Sequence, residues 1–135
     1  MLLVVCILLV PVPAGCGGSS APSGPHITDA RLAHDYQSGK AIGPTGTFAP
    51  TDSIFHLVVN IGSPNNGTRV GATWYVVNAG DVKNQKLDSA EVALSLGQDV
   101  AHFTLTSHKQ WLKGSYRVDI FLDSRKDRSL DFRVA

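Results

Sequence analysis

Between Gly114 and Leu122 the chain alternates in a way that only an extended strand accommodates. Tyr116, Val118, Ile120 and Leu122 share one face; Ser115, Arg117 and Asp119 share the other, with Phe121 its single large apolar residue. A period of two residues marks a strand that buries one side, so Arg117 and Asp119 read as its solvent face. The pattern recurs along the chain. Phe55, Leu57, Val59 and Ile61 mark a strand over 53–61, and Val70, Ala72, Trp74 and Val76 another over 69–77. Ala101, Phe103 and Leu105 mark one over 100–105, and Leu130, Phe132 and Val134 one over 129–134. His26–Ala33 reads as a weaker first strand, placed at a sheet edge because Asp29 and Arg31 are tolerated there.

Two stretches are less regular. Ser38-Gly39, Gly43-Pro44, Gly46 and Ala49-Pro50 punctuate residues 34–50. An irregular run of that length is unusual in a compact domain, so a short edge strand at Thr47-Phe48, with Phe48 inward, is expected to interrupt it. Lys86–Leu96 fits two patterns. Leu87, Ala90, Glu91 and Leu94 suit a helical face, whereas Val92, Leu94 and Leu96 suit a strand. Its place between turns in a chain of strands favours the strand. Asn66-Gly67 supplies a turn that needs positive φ, and Ser124–Arg128 reads as a charged hairpin tip. About seven strands with turns every ~8–12 residues predict an all-β antiparallel sandwich.

Composition narrows the partners. A length of 135 residues, 43% apolar, suits one globular domain, and a net charge of +1 gives no electrostatic reason to expect nucleic acid. Leu2–Val12 is apolar except at Cys6 and Pro11, yet far shorter than the ~20 residues a membrane-spanning helix needs. It matches the apolar region of a secretory signal peptide.

That run gives way to Pro13-Ala14-Gly15-Cys16 and then Gly17-Gly18-Ser19-Ser20. This resembles the lipobox of bacterial lipoproteins, with Pro13 standing where the family has leucine. The resemblance implies removal of residues 1–15, acylation of Cys16 at its thiol and new amino terminus, and membrane attachment through those chains. It also implies an outer-membrane location in a diderm cell, since Gly17 rather than aspartate follows the cysteine; otherwise the outer face of the plasma membrane is implied. A plain signal peptide cut after Ala14 or Gly15, or a buried N-terminal strand, is the alternative. No Lys or Arg precedes the apolar run, so the translation start is expected upstream of Met1. Residues 16–25 then form a Gly/Ser/Pro tether and 26–135 the folded domain. With Cys6 lost and Cys16 acylated, neither of the two cysteines is left for a disulfide, a metal or a nucleophile.

From Ile27 to Val134 the chain also resembles immunoglobulin-like and fibronectin-III-like domains. In that resemblance Phe55–Ile61 is strand B and Val70–Val77 strand C, with Trp74 as the core tryptophan. Tyr116 takes the place of the tyrosine corner at the start of strand F. Val118 stands where immunoglobulins carry a cysteine, with Leu57 or Val59 opposite, which implies a disulfide-free variant. The fold hosts unrelated activities, so it implies no function.

Candidate chemistry is sparse. His26, His34, His56, His102 and His108 show no His-x-His or His-x₃-His spacing. His56 and His102 share a site only if two strands fall into register, and no metal, cofactor or catalytic residue is assigned. Serines lie outside a Gly-x-Ser-x-Gly elbow, and Asp88, Glu91, Asp123 and Asp127 are explained by solvation. Trp111 and Leu112 in the 107–113 loop either cap the core or anchor a partner. Tyr75, Val77 and Phe121 face nominally outward and offer an apolar patch. These features predict a non-catalytic binding or structural module of the cell envelope, with an envelope protein as partner. A ligand carrier with an apolar pocket, between the sheets or under residues 34–50, is the alternative; an enzyme ranks last.

Overall fold

A computed structural model describes residues 24–135; Cys16, the signal segment and most of the tether lie outside them. The described residues form nine strands. They are β1 (His26–Gln37), β2 (Lys40–Pro44), β3 (Thr47–Phe48), β4 (Ile54–Gly62) and β5 (Arg69–Ala79), then β6 (Val82–Ala93), β7 (Val100–Thr106), β8 (Gly114–Leu122) and β9 (Arg125–Val134). A four-stranded sheet in the order β2-β1-β4-β7 packs on a five-stranded sheet in the order β3-β9-β8-β5-β6. All pairings are antiparallel except that of β3 with β9.

The expected strands are present, including Thr47-Phe48, and β2 is an addition. Ser38 and Gly39 both take positive φ, 48° and 83°, and this two-residue turn folds Lys40–Pro44 back on β1. In consequence β1 is not an edge strand. It lies between β2 and β4, with Asp29 and Arg31 paired side by side at 2.7 Å on the outside. A bulge between Ile27 and Asp29 resets its alternation, so Ile27 and Leu32 both reach the core. Lys86–Leu96 belongs to a strand that begins earlier, at Val82, and ends at Ala93, leaving Leu94 buried in the following link. The charged tip is tighter than expected: Asp123 and Ser124 alone make the turn, and Arg125–Arg128 already pair with β8.

The core is what the alternation demands. Phe55, Leu57 and Val59 of β4 face Val70, Ala72 and Trp74 of β5 and Val118 and Ile120 of β8, all at most 1% exposed. Val118 is fully buried in the core cluster, and packing joins the layers there. Tyr116 is buried, and its hydroxyl donates to the Leu112 carbonyl at 2.5 Å, tying the incoming loop to the start of β8. Gly114 makes that entry possible, because a Cβ there would collide with the Asn78 carbonyl oxygen.

One residue on the outward face departs from expectation. Asp119 is buried, its side chain 8% exposed, because Ser129 opposite it on β9 donates a 2.6 Å hydrogen bond and Arg117 donates another at 3.0 Å. A carboxylate is retained in such a place when donors replace its water. Among the described residues no buried side-chain polar atom lacks a partner.

Candidate functional site

Three surface regions bring chemistry-bearing groups together: the outer face of the four-stranded sheet, the 107–113 loop, and the margin where β7 and β6 end the two sheets.

On the outer face, β4 and β7 are in a register that sets Val58 opposite His102 and His56 opposite Thr104. His56 and His102 are therefore diagonal neighbours on one face, within reach of each other. His56 Nδ1 lies 2.9 Å from His102 Nε2, and Tyr36 stacks on the His102 ring with centroids 3.9 Å apart. Burial holds the His102 pKa below its ordinary value; the neighbouring His56 acts in the same direction and Asp35 opposes it. A neutral pair can share one hydrogen bond, whereas two imidazolium rings would present only donors. The tip of the β1–β2 hairpin bends over this face, so that a Cβ on Gly39 would meet the Val100 side chain of β7 at 4.0 Å. Beneath it lies an open cleft of about 410 Å³ lined by Asp29, Arg31, Lys40, Val58 and Asn60 among others. At the other end, His34 approaches Asp52 at 3.7 Å and sets its ring edge against Phe48.

The coincidence of register that a shared histidine site requires is thus present for His56 and His102. They supply two nitrogens, where a structural zinc site takes four ligands. Among the described residues no group of three or more His, Cys, Asp or Glu is placed to hold a metal ion. His26 and His108 stand apart from the pair: His26 bonds the Gly24 carbonyl, and His108 borders a shallow hollow beside Pro50 and Lys109.

The loop resolves into two different residues. Trp111 stacks on Phe55 with centroids 4.4 Å apart, and its indole N–H donates to the Asp52 carbonyl at 2.6 Å. It closes one end of the sandwich. Leu112 is 51% exposed and projects beside Gly80, so of the two candidate anchors only Leu112 is free to meet a partner. The outward apolar trio is also covered in part: Tyr75, Val77 and Phe121 are half-buried, and the Arg117 guanidinium lies 4.8 Å over the Tyr75 ring.

The margin was not foreseen from the sequence. Asp88, Ala90 and Val92 of β6 pair with Trp74, Ala72 and Val70 and so point to the same side as the core residues of β5. All three are nevertheless exposed, as is all of β6 except half-buried Val82. The four-stranded sheet ends at β7, leaving β6 to overhang. The open edge of β7 is regular, with no register shift, proline or charged residue from Val100 to Thr106.

No protein-family model matches the chain, and no curated protein matches it either. Among solved structures it is similar to the crystal structure of an immunoglobulin-like protein from Pseudomonas aeruginosa. The two share 16% identity, and the match covers 87% of this chain and all of that one with a TM-score of 0.57. At that identity the likeness concerns the backbone. The described chain folds as an immunoglobulin-like β-sandwich of four strands on five, without helices.

Proposed function

We propose that the chain is an exported, lipid-anchored, non-catalytic binding module of the bacterial cell envelope, held to the membrane through Cys16 and presenting its sandwich to an envelope protein. The observation that carries the binding half is the margin at β7 and β6: an unpaired strand edge and an uncovered apolar pair, Ala90 and Val92, lie side by side. Elsewhere the polar groups that meet serve the fold. Asp119 with Arg117 and Ser129 ties β8 to β9, and the Tyr36–His102–His56 stack holds the hairpin against the sheet. The cleft under that hairpin is open and mixes charged and amide groups with Ala41 and Val58, which suits an apolar carrier poorly, since such sites are enclosed and mainly hydrophobic. The Gly-Cys-Gly-Gly-Ser-Ser run at 15–20 supports the anchor, because two or more acyl chains give stable attachment.

Fractionation of cells producing Cys16→Ser tests the anchor: the protein is expected to leave the membrane fraction, and unchanged membrane association contradicts it. Amine-reactive cross-linking in intact envelopes tests the module. A discrete adduct with one envelope protein is expected, and a protein that stays uncross-linked at its native level contradicts the reading.

A further inference from the structure

The Asn66-Gly67 turn carries a reactivity of its own, and we propose that Asn66 is a gated modification site. Its side-chain amide is lost by spontaneous deamidation when the clasp between the 62–68 loop and the β6–β7 link opens. A glycine after asparagine offers this reaction the least steric resistance, because no Cβ shields the glycine nitrogen. Asn66 and Gly67 are both exposed, so water and solvent base reach them.

The reaction is a ring closure. The Gly67 backbone nitrogen gives its proton to solvent base and attacks the side-chain carbonyl carbon of Asn66. A carbon–nitrogen bond forms to Gly67, the bond from Cγ to Nδ2 breaks, and Nδ2 departs as ammonia with the proton that the base returns. Water then opens the resulting imide at either carbonyl, giving aspartate or isoaspartate. No oxidant or reductant enters.

The closed turn withholds the first step. Gly67 N–H donates to the Leu94 carbonyl at 2.7 Å, and Leu94 N–H returns a bond to the Thr68 carbonyl at 2.8 Å. Thr68 N–H donates to the Asn65 carbonyl at 3.1 Å; with Gly67 at a φ of 85° and Asn66 outside the positive-φ region, this is a type II turn. Buried Thr68 completes it, its Oγ1 accepting from Asn65 N–H at 2.9 Å. The nucleophile is thus a bonded donor, in a peptide plane that must rotate before Gly67 N meets Cγ. Opening the clasp frees the proton and the plane together, so deamidation follows the same local opening as amide exchange at Gly67. The change runs one way. Either product adds a negative charge to the loop, and isoaspartate also lengthens the main chain by one carbon, so the turn no longer matches its bonds to Leu94.

Peptide mapping by mass spectrometry tests the site, on the full chain in detergent micelles at mildly alkaline pH and on the same chain unfolded in guanidinium chloride. Conversion at Asn66 is expected to be at least about tenfold slower in the folded chain, the scale on which a local opening protects. Thr68→Val keeps the shape of the buried side chain but removes the bond from Asn65 N–H. Gly67 amide exchange and Asn66 conversion are then expected to rise together, by about threefold or more. Asn66→Gln, which would have to close a larger and less favoured ring, should stay unmodified. Equal conversion in folded and unfolded chains overturns the gate, as does faster Gly67 exchange in Thr68→Val without faster conversion. An unfolded chain that keeps Asn66 intact while another asparagine converts overturns the site itself. If Thr68→Val does not fold, the comparison of folded and unfolded parent chain still decides.

Discussion

The two sheets end in edges of opposite character. β6 is long and almost wholly exposed, yet it is a poor template for another strand. Asn84 takes a positive φ of 49°, Leu87 is the extra residue of a bulge opposite Trp74 and Tyr75, and Lys83, Lys86, Asp88 and Glu91 line its length. The bulge and the charges are known ways to keep an edge from pairing. β7 is shorter, from Val100 to Thr106, and has none of them. Exposure alone would nominate β6; the chemistry of the edge nominates β7. In immunoglobulin-like folds, where every sandwich has edges to manage, an edge left undefended is the more informative one.

Variants can break or sharpen this contrast. The largest effect is expected from Trp74→Ala, which empties a side chain 1% exposed between the layers and should cost ~3–5 kcal/mol in denaturant unfolding. Because β6 hangs on β5 and β7 faces the same core, both edges should lose amide protection together; loss at β6 alone would mean that the two edges belong to separate cooperative units. Deleting Leu87 removes the bulge and should turn β6 into a pairing edge. The folded protein is then expected to self-associate at concentrations where the parent does not, as read by light scattering. Unchanged association would show that the charges alone defend that edge.

A smaller effect is expected at the opposite end of the sandwich. Tyr116→Phe removes the hydrogen bond to the Leu112 carbonyl and should cost about 1 kcal/mol, with both edges unaltered. The smallest effect is on pH dependence and concerns β7 alone. His102 has its pKa lowered by burial and by His56, with Asp35 opposing. Below its ordinary value near 6.5 the unfolded chain therefore binds more protons than the native one, and stability falls as pH drops through the window down to the native pKa. His102→Gln should flatten that part of the profile of melting temperature against pH. An unaltered slope would assign the dependence to another group.

How much of this was legible in the sequence depended on whether a residue's environment is local. Alternation reports which side of a strand is buried, and it places Tyr116, Val118 and Trp74 in the core; Phe48 is placed there by loop length, since a long irregular run calls for an interrupting strand. The overhang explains why β6 was ambiguous: with Asp88, Ala90 and Val92 uncovered on its inner side, the strand carries no apolar face to announce itself. β2 was hidden by its own composition, since Gly43 and Pro44 read as punctuation although they close a hairpin whose turn is at Ser38-Gly39. Asp29 and Arg31 suggested an edge for β1 because charge on one face and charge at an edge look alike in one dimension. Asp119 and the His56–His102 pair depend on cross-strand partners, Ser129 and a specific β4–β7 register, that spacing along the chain does not encode. For the pair, two histidines on the polar faces of neighbouring strands were a usable signal; for Asp119 there was none.

The contrast between the edges can be measured in place. A photo-reactive residue at Thr104, in the middle of β7, and another at Ser89, in the middle of β6, are introduced separately into the membrane-anchored chain and activated in intact envelopes. The account predicts a discrete adduct with an envelope protein from Thr104 and none from Ser89. An adduct from Ser89 with none from Thr104 would contradict it.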